Sequence, residues 1–269
     1  LARARILVKS ECVLAGLDVA IDVFRQVDAA TQVIQHRQDG CKCKVGEIVT
    51  EVTGLGLALL TAERTALNFL QRLSGIATLT RRFVDASGGR IVVLDTRKTT
   101  PTLRTLEKYA VRIGGGTNYR FCLNDRVLIK DNHVELAGGI ESALQNIRSL
   151  KSNHLVEIEV QNLDQVDVAL AAGVDILLLD NMSIDQIKEA VLRKEMVGNP
   201  DEWVECHHEM KKVVDKTSDR EWKIGSIERH AFYDRARNAY AVVCAGGERR
   251  GYGCFVLIKG VIDEQGNVV

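Results

Sequence analysis

Between residues 91 and 191 the chain alternates short apolar runs with helical patterns four times, and no other feature constrains the fold as strongly. The runs fall at 91–95, 126–130, 155–160 and 175–180. Each precedes a segment with apolar residues at helical spacing, such as Leu103, Leu106 and Ala110, or Leu163, Val166 and Leu170. Successive strand–helix units imply parallel strands joined by right-handed crossovers. The expected class is therefore α/β, with chemistry located where the strands end.

Local signals refine this pattern. Thr100-Pro101 predicts a helix start, Ser183 another, and Gly173 a C-terminal cap. Ile140, Ala143, Leu144 and Ile147 predict one helix after the second strand. Upstream, Leu70, Leu73, Ala77, Thr80 and Phe83 predict a long helix over about 62–86. Residues 4–60 read as short strands with turns at Gly40 and Gly46.

Beyond Lys194 the rhythm stops. Two apolar runs, 239–244 and 254–258, are joined by a glycine-rich loop too short for a parallel crossover. They predict an antiparallel hairpin covering the edge of a four-stranded sheet. The expected organisation is a small α/β N-terminal domain with the long helix (1–88), a partial open α/β barrel of four strand–helix units (89–194), and an atypical α+β C-terminal segment (195–269).

Charge and cysteine narrow the function classes. With 36 basic and 36 acidic residues the net charge is zero, so nothing draws the whole protein to nucleic acid or anionic membrane. No apolar run reaches the roughly 18 to 20 residues of a membrane helix. Seven cysteines, an odd count without framework spacing, predict reduced thiols and a cytoplasmic location. His36 with Cys41 and Cys43, and Cys206 with His207 and His208, match no standard zinc spacing. The opening Leu1-Ala-Arg-Ala-Arg lacks a signal-peptide pattern and reads as a strand under way, which points to missing preceding residues.

Against that neutral background, Arg97, Lys98, Arg120 and Lys130 cluster at strand ends, among glycines and turn residues, and Arg64 lies near the start of the long helix. Arg presents paired donors to a carboxylate or phosphate, and Lys a compact charge, so the set suits a multiply charged anion. Glu159 and Asp180 suit Mg²⁺ or sugar hydroxyls. Solvated surface is the plainer reading of the cations, a flexible turn that of Gly114-Gly-Gly116, and pairing with a neighbouring Lys that of the two acids. Ser74 and Thr99 have no adjacent His base to make them nucleophiles.

The wording of these segments is more specific than their composition. Residues 63–75 (Glu-Arg-Thr-Ala-Leu-Asn-Phe-Leu-Gln-Arg-Leu-Ser-Gly), Asp95-Thr-Arg-Lys-Thr-Thr-Pro101, Leu106-Glu-Lys-Tyr-Ala-Val-Arg112 and Gly114-Gly-Gly116 form an ordered series. Leu128-Ile-Lys-Asp-Asn-His133, Glu157-Ile-Glu-Val160 and Leu178-Leu-Asp-Asn181 continue it. The series resembles the quinolinate phosphoribosyltransferases.

The resemblance implies a transferase of NAD biosynthesis. It would join quinolinate to phosphoribosyl pyrophosphate with Mg²⁺ and release pyrophosphate and carbon dioxide, as a homodimer or larger homo-oligomer. It implies substrate contacts by Arg64 (reaching the neighbouring subunit's site), Thr96, Arg97, Lys98, Tyr119, Arg120, Lys130, Glu159 and Asp180. Catalytic roles fall to Lys98, Glu159 and Asp180, the two acids also being the Mg²⁺ ligands.

Three departures accompany the resemblance. Tyr119 stands where the family has His, and the opening helices are not evident. After Val191 neither the last two barrel strands nor their phosphate-binding glycine loops are recognisable, and Ala245-Gly-Gly247 does not match. Two further readings follow: an inactive, truncated or chimeric remnant that binds a dicarboxylate, and a related phosphoribosyltransferase for another acidic ring.

Overall fold

The computed structural model describes residues 1–88, 92–150, 153–192, 227–234 and 239–246. At the N-terminus, β1 (Ala2–Leu7) and β3 (Gln32–Gln35) flank β5 (Ile48–Gly54) in an antiparallel sheet. A short ladder joins β2 (Cys12–Val13) to β4 (Lys42–Cys43). Against them packs α1 (Leu17–Val27), through Leu17, Ala20, Ile21 and Phe24.

This helix corrects the reading of residues 4–60 as strands and turns alone. Its apolar spacing is visible in the sequence, but its start carries no local cap. Gly16 adopts φ 88°, and the N–H groups of Gly16 and Leu17 donate to the distant Asp39 carboxylate at 2.7 and 3.1 Å. A cap borrowed from another loop leaves no start signal beside the helix.

The long helix α2 (Gly56–Ser87) begins about a turn and a half before the predicted 62–86. In that extra length buried Leu59 lies between exposed Leu57 and Leu60, which blurs the apolar stripe at the helix start. Along its length α2 enters three cores. Leu59, Ala62, Ala66 and Leu70 join the N-terminal one, and Leu73 and Ala77 meet Val13, Ala15 and Ala110. Leu79 and Phe83 join the core of the second sheet. Each buried Leu or Phe contributes about 1.5–3 kcal/mol, so α2 binds the two parts of the chain through hydrophobic contacts.

The second sheet comprises β6 (Val92–Val93), β7 (Val127–Ile129), β8 (Val156–Val160), β9 (Ile176–Asp180), β10 (Ile227–Asp234) and β11 (Ala239–Gly246). Between them run α3 (Arg104–Ile113), α4 (Asp131–Ala137), α5 (Ile140–Ser149), α6 (Leu163–Ala171) and α7 (Ile184–Leu192). The strand order is β6-β11-β10-β9-β8-β7, with β7, β8 and β9 parallel neighbours as the crossover pattern predicts.

Several local expectations change. Thr100 does not cap a helix: α3 starts at Arg104, after a turn in which Thr102 takes φ 69°. The helix expected on Ile140, Ala143, Leu144 and Ile147 is α5, and a second, unexpected helix, α4, precedes it, the two separated at Gly138 and Gly139 with φ values of 80° and 135°. By contrast, Gly173 follows α6 with φ 74°, and Ser183 Oγ accepts from the Gln186 N–H at 3.2 Å.

A hairpin does lie against the edge of β9, but with different strands. β11 contains the apolar run 239–244, and its antiparallel partner is β10, whose Ile-Glu-Arg-His-Ala-Phe-Tyr-Asp sequence has no apolar run. The run 254–258 lies outside the described residues. β10 is antiparallel to β9, from Asp180 opposite His230 to Ile176 opposite Asp234, and β11 is parallel to β6. The hairpin thus separates β6 from β9, and the four predicted parallel strands are not contiguous.

Alternation along the strands defines two faces. Ile129, Ile158, Val160, Leu177 and Leu179 pack with Leu144 and Val166 in the helix-covered core. Ile176 and Leu178 face the other way, with Tyr119, Leu94 and Leu128. Glu157, Glu159 and Asp180 keep the same two-residue period on that second face. Among the described residues no helix is long and apolar enough to cross a membrane.

Candidate anion-binding active site

At the strand ends of the second face, Lys130 Nζ lies 3.1 Å from Glu159 Oε2. Asp180, at the end of the neighbouring strand, stands close enough to act electrostatically on Glu159. Burial, chiefly, pushes the Glu159 carboxyl above its ordinary value, and Asp180 adds to the rise while Lys130 opposes it. Two converging carboxylates, one already held by a cation, form an oxygen-rich corner able to accept hydroxyl donors or share a divalent ion. The plainer sequence reading, an acid paired with a neighbouring Lys, is thus seen at Glu159.

One layer below, Tyr119 donates its hydroxyl proton to Glu157 Oε2, and Arg126 Nη1 stands 3.6 Å from the same oxygen. Glu157 is fully buried, and its Oε1 has no hydrogen-bond partner among the described residues. Burial raises its carboxyl above the ordinary range, against the pull of Tyr119, Arg126 and Arg120. The Tyr119 phenol is pushed up by burial first and then by Glu157. Its ring carries two guanidiniums, Arg126 at 5.0 Å and Arg120 at 5.3 Å from the centroid, close enough for cation–π attraction. At the position where the resemblance implies an imidazole, the phenol therefore has two cations beside it.

The loop after β6 supplies Thr96, Arg97 and Lys98. Thr96 Oγ1 accepts from the Lys98 N–H at 3.1 Å, and Lys98 itself is exposed. Arg97 and Arg120 are half-buried, and the Nε of each is a buried donor without an acceptor among the described residues. Such donors are costly to leave unmade, and a bound anion would satisfy them. Arg64 lies on an exposed position of α2 and takes no part in these contacts.

Beneath this loop is an anchor that sequence reasoning missed. Asp95 is buried and accepts from Lys108 Nζ, from Asn118 Nδ2 at 2.6 Å and from the Tyr119 N–H at 2.7 Å. Lys108 Nζ also donates to the Tyr119 carbonyl at 2.7 Å. Burial drives the Asp95 carboxyl up and the Lys108 ammonium down, each opposed by its partner. Asp95 is a structural support holding Tyr119. Glu157 and Arg126 could have been found from their alternation with Glu159 and Leu128.

Arg72 and Glu107 brace the same loop: Arg72 Nε donates to Glu107 Oε1 at 2.9 Å, and Glu107 Oε2 accepts from the Thr100 N–H at 3.1 Å. The triple glycine is a packing device. A Cβ on Gly114 would stand 2.5 Å from the Ala77 carbonyl oxygen, and one on Gly116 would stand 2.8 Å from Thr80 Cγ2. Only glycine lets this turn meet α2. Ser74 and Thr99 are hydrogen-bonded to backbone, Ser74 Oγ accepting from Ala15 N–H at 3.0 Å. His36 pairs with Glu51 at 3.6 Å, and among the described residues no cluster of three metal-ligating side chains occurs.

An α/β sheet with cations on its loops and paired carboxylates at its strand ends is the architecture of a site suited to a multiply charged anion. The model of the quinolinate phosphoribosyl transferase N-terminal domain matches residues 1–74, and that of the C-terminal domain residues 76–207. A probable nicotinate-nucleotide pyrophosphorylase (carboxylating) from Bacillus subtilis is 44% identical over 188 residues, covering 69% of this chain and 65% of the relative. One from Methanothermobacter thermautotrophicus is 41% identical, covering 72% of this chain and 71% of the relative. A crystal structure of NadC from Streptococcus pyogenes superposes with a TM-score of 0.68 and 47% identity, over 71% of this chain and 68% of the other.

The chain belongs to the quinolinate phosphoribosyltransferase family. It spans 65% of the length of the Bacillus relative. The model of a second family, the RbsD / FucU transport proteins, matches residues 155–262 and overlaps the first from 155 to 207. The first match reaches 207, so it includes the start of the segment expected to be unmatched from 195, and the rest of that segment up to 262 falls within the second match.

Proposed function

We propose that this chain is a carboxylating nicotinate-nucleotide pyrophosphorylase, making nicotinate mononucleotide, pyrophosphate and carbon dioxide from quinolinate and phosphoribosyl pyrophosphate. Family membership supports the reaction class. The observation that carries the site is the pair of buried, unmatched Nε donors on Arg97 and Arg120. Two adjacent ring carboxylates would accept from such donors, and cationic neighbours offset the repulsion between a dianion and a polyphosphate. Glu159 and Asp180 suit the ribose, where loss of pyrophosphate develops positive charge that a carboxylate stabilises. Lys98, exposed on the same loop as Arg97, would contact the polyphosphate.

The two acids also fit Mg²⁺. Their oxygens are hard donors, and this ion is commonly held by one or two carboxylates with substrate phosphates and water completing the shell. When bound, it would neutralise phosphate charge. A cytoplasmic, dimeric or larger assembly, with Arg64 reaching a second subunit, belongs to the same proposal.

The deciding experiment supplies quinolinate, phosphoribosyl pyrophosphate and Mg²⁺ to the folded protein and measures nicotinate mononucleotide. Absence of turnover above background overturns the activity. A second reading, a remnant that binds the dicarboxylate alone, is favoured by the antiparallel β10 beside β9 in a sheet otherwise suited to parallel continuation. Calorimetry separates the two, because the remnant binds quinolinate and not phosphoribosyl pyrophosphate.

A further inference from the structure

Arg104 is the first residue of α3, where the positive end of the helix dipole disfavours a cation. Its three guanidinium nitrogens nevertheless each meet a separate acceptor. Nε donates to Thr99 Oγ1 at 3.1 Å, Nη2 to the Arg97 carbonyl at 3.1 Å, and Nη1 to the Phe121 carbonyl at 3.3 Å. Thr99 and Arg97 belong to the loop after β6, whereas Phe121 follows Arg120 in the loop before β7. One rigid fork therefore ties together the two loops that present the unmatched Arg97 and Arg120 donors.

We infer that Arg104 is a positioning residue for quinolinate, setting the spacing and orientation of Arg97 and Arg120 without touching the substrate. The inference rests on the reading of this site as a quinolinate pocket. Two carboxylates on one ring have a fixed separation, so two guanidiniums on independent loops bind both only if the loops keep register. The fork geometry makes Lys a poor replacement, since a single ammonium cannot occupy three divergent positions. The tie bears chiefly on quinolinate, because Arg104 bonds the Arg97 backbone directly and reaches Lys98 only through the loop they share. It holds the cations that face the ring and leaves Glu159 and Asp180, on β8 and β9, as they are.

The test compares the full chain with Arg104→Ala and Arg104→Lys, in steady-state kinetics and in backbone hydrogen exchange. Arg104→Ala is expected to raise the KM for quinolinate by about tenfold and that for phosphoribosyl pyrophosphate by about threefold or less, since both ring-facing guanidiniums lose their tie while the polyphosphate loses only the support of the Lys98 loop. Arg104→Lys retains the positive charge and loses the fork, so it should keep most of the defect. Exchange should quicken by roughly tenfold in residues 96–100 and 120–125 together, and not in β8. Equal rises in both KM values, full recovery in Arg104→Lys, or unchanged exchange in 120–125 overturns the inference. If the wild-type chain makes no nicotinate mononucleotide, the functional reading fails, and exchange alone decides whether Arg104 holds the loops.

Discussion

The Tyr119 hydroxyl donates to Glu157 at the floor of the cation cluster, with Arg126 on the same carboxylate oxygen. Tyr119→Phe removes the donor and keeps the ring that carries the guanidiniums. Glu157 is fully buried and its other oxygen has no partner among the described residues, so the expected loss is about 1–3 kcal/mol of stability. Urea unfolding of the two proteins measures it. A change below about 0.5 kcal/mol, the usual scale of a neutral surface substitution, would show that this bond contributes little.

Arg97→Ala and Lys130→Ala should each weaken quinolinate binding by about 1.5–3 kcal/mol, the range for a charge-assisted hydrogen bond. The two differ in a second respect. Lys130 also opposes the upward shift of Glu159, so its removal should raise that carboxyl further, while Arg97→Ala leaves it unchanged. Calorimetry gives the affinities, and carboxyl titration by NMR gives the difference. Affinity losses of only about a few tenths of a kcal/mol at both sites would place the ring elsewhere.

Asp180→Asn should stabilise the protein while lowering activity. Burial is the main cause of the raised Glu159 carboxyl and Asp180 adds to it; an amide would donate to Glu159 instead. A carboxyl raised on folding destabilises the native state above its folded pKa and not below its unfolded one. The gain is therefore expected at neutral pH, about 1 kcal/mol or roughly 2–4 °C in Tm, and should fade as pH falls into the ordinary Glu range. A gain that persists in acid, or a loss at neutral pH, contradicts the proposed pairing.

Gly114→Ala tests the turn against α2. The added Cβ meets a backbone carbonyl oxygen at 2.5 Å and Thr80 Cβ at 2.6 Å, neither of them the end of a flexible chain. Overpacking of this kind costs about 1–3 kcal/mol. Chemical denaturation should show it, and an unchanged midpoint would mean that the turn shifts freely.

The parallel core was legible because hydrophobic period is a local property: the runs ending at Lys130 and Asp180 and the helix after each can be read from neighbours alone. What escaped depends on distant partners. α1 takes its cap from Asp39, and the role of Asp95 appears only once Lys108 and Asn118 are folded against it. β10 has no apolar run because its pattern is mixed, so only its pairing with β9 and β11 identifies it. Residues with functional groups at the loops, such as Arg97, were found through wording rather than through period. Glu157 was quoted within the same wording, but its burial under Tyr119 is a tertiary fact.

Asp39 accepts from the Gly16 and Leu17 amides and also from Tyr109 Oη at 2.6 Å, midway along α3. The same helix carries Arg104, Glu107 and Lys108, each fastened to a loop of the site. The two parts of the chain are therefore not interchangeable modules. Recombination between relatives that separates an acid at 39 from a phenol at 109 would join two sound pieces across a mismatched seam, and the fault would surface as poor substrate affinity rather than as a failure to fold.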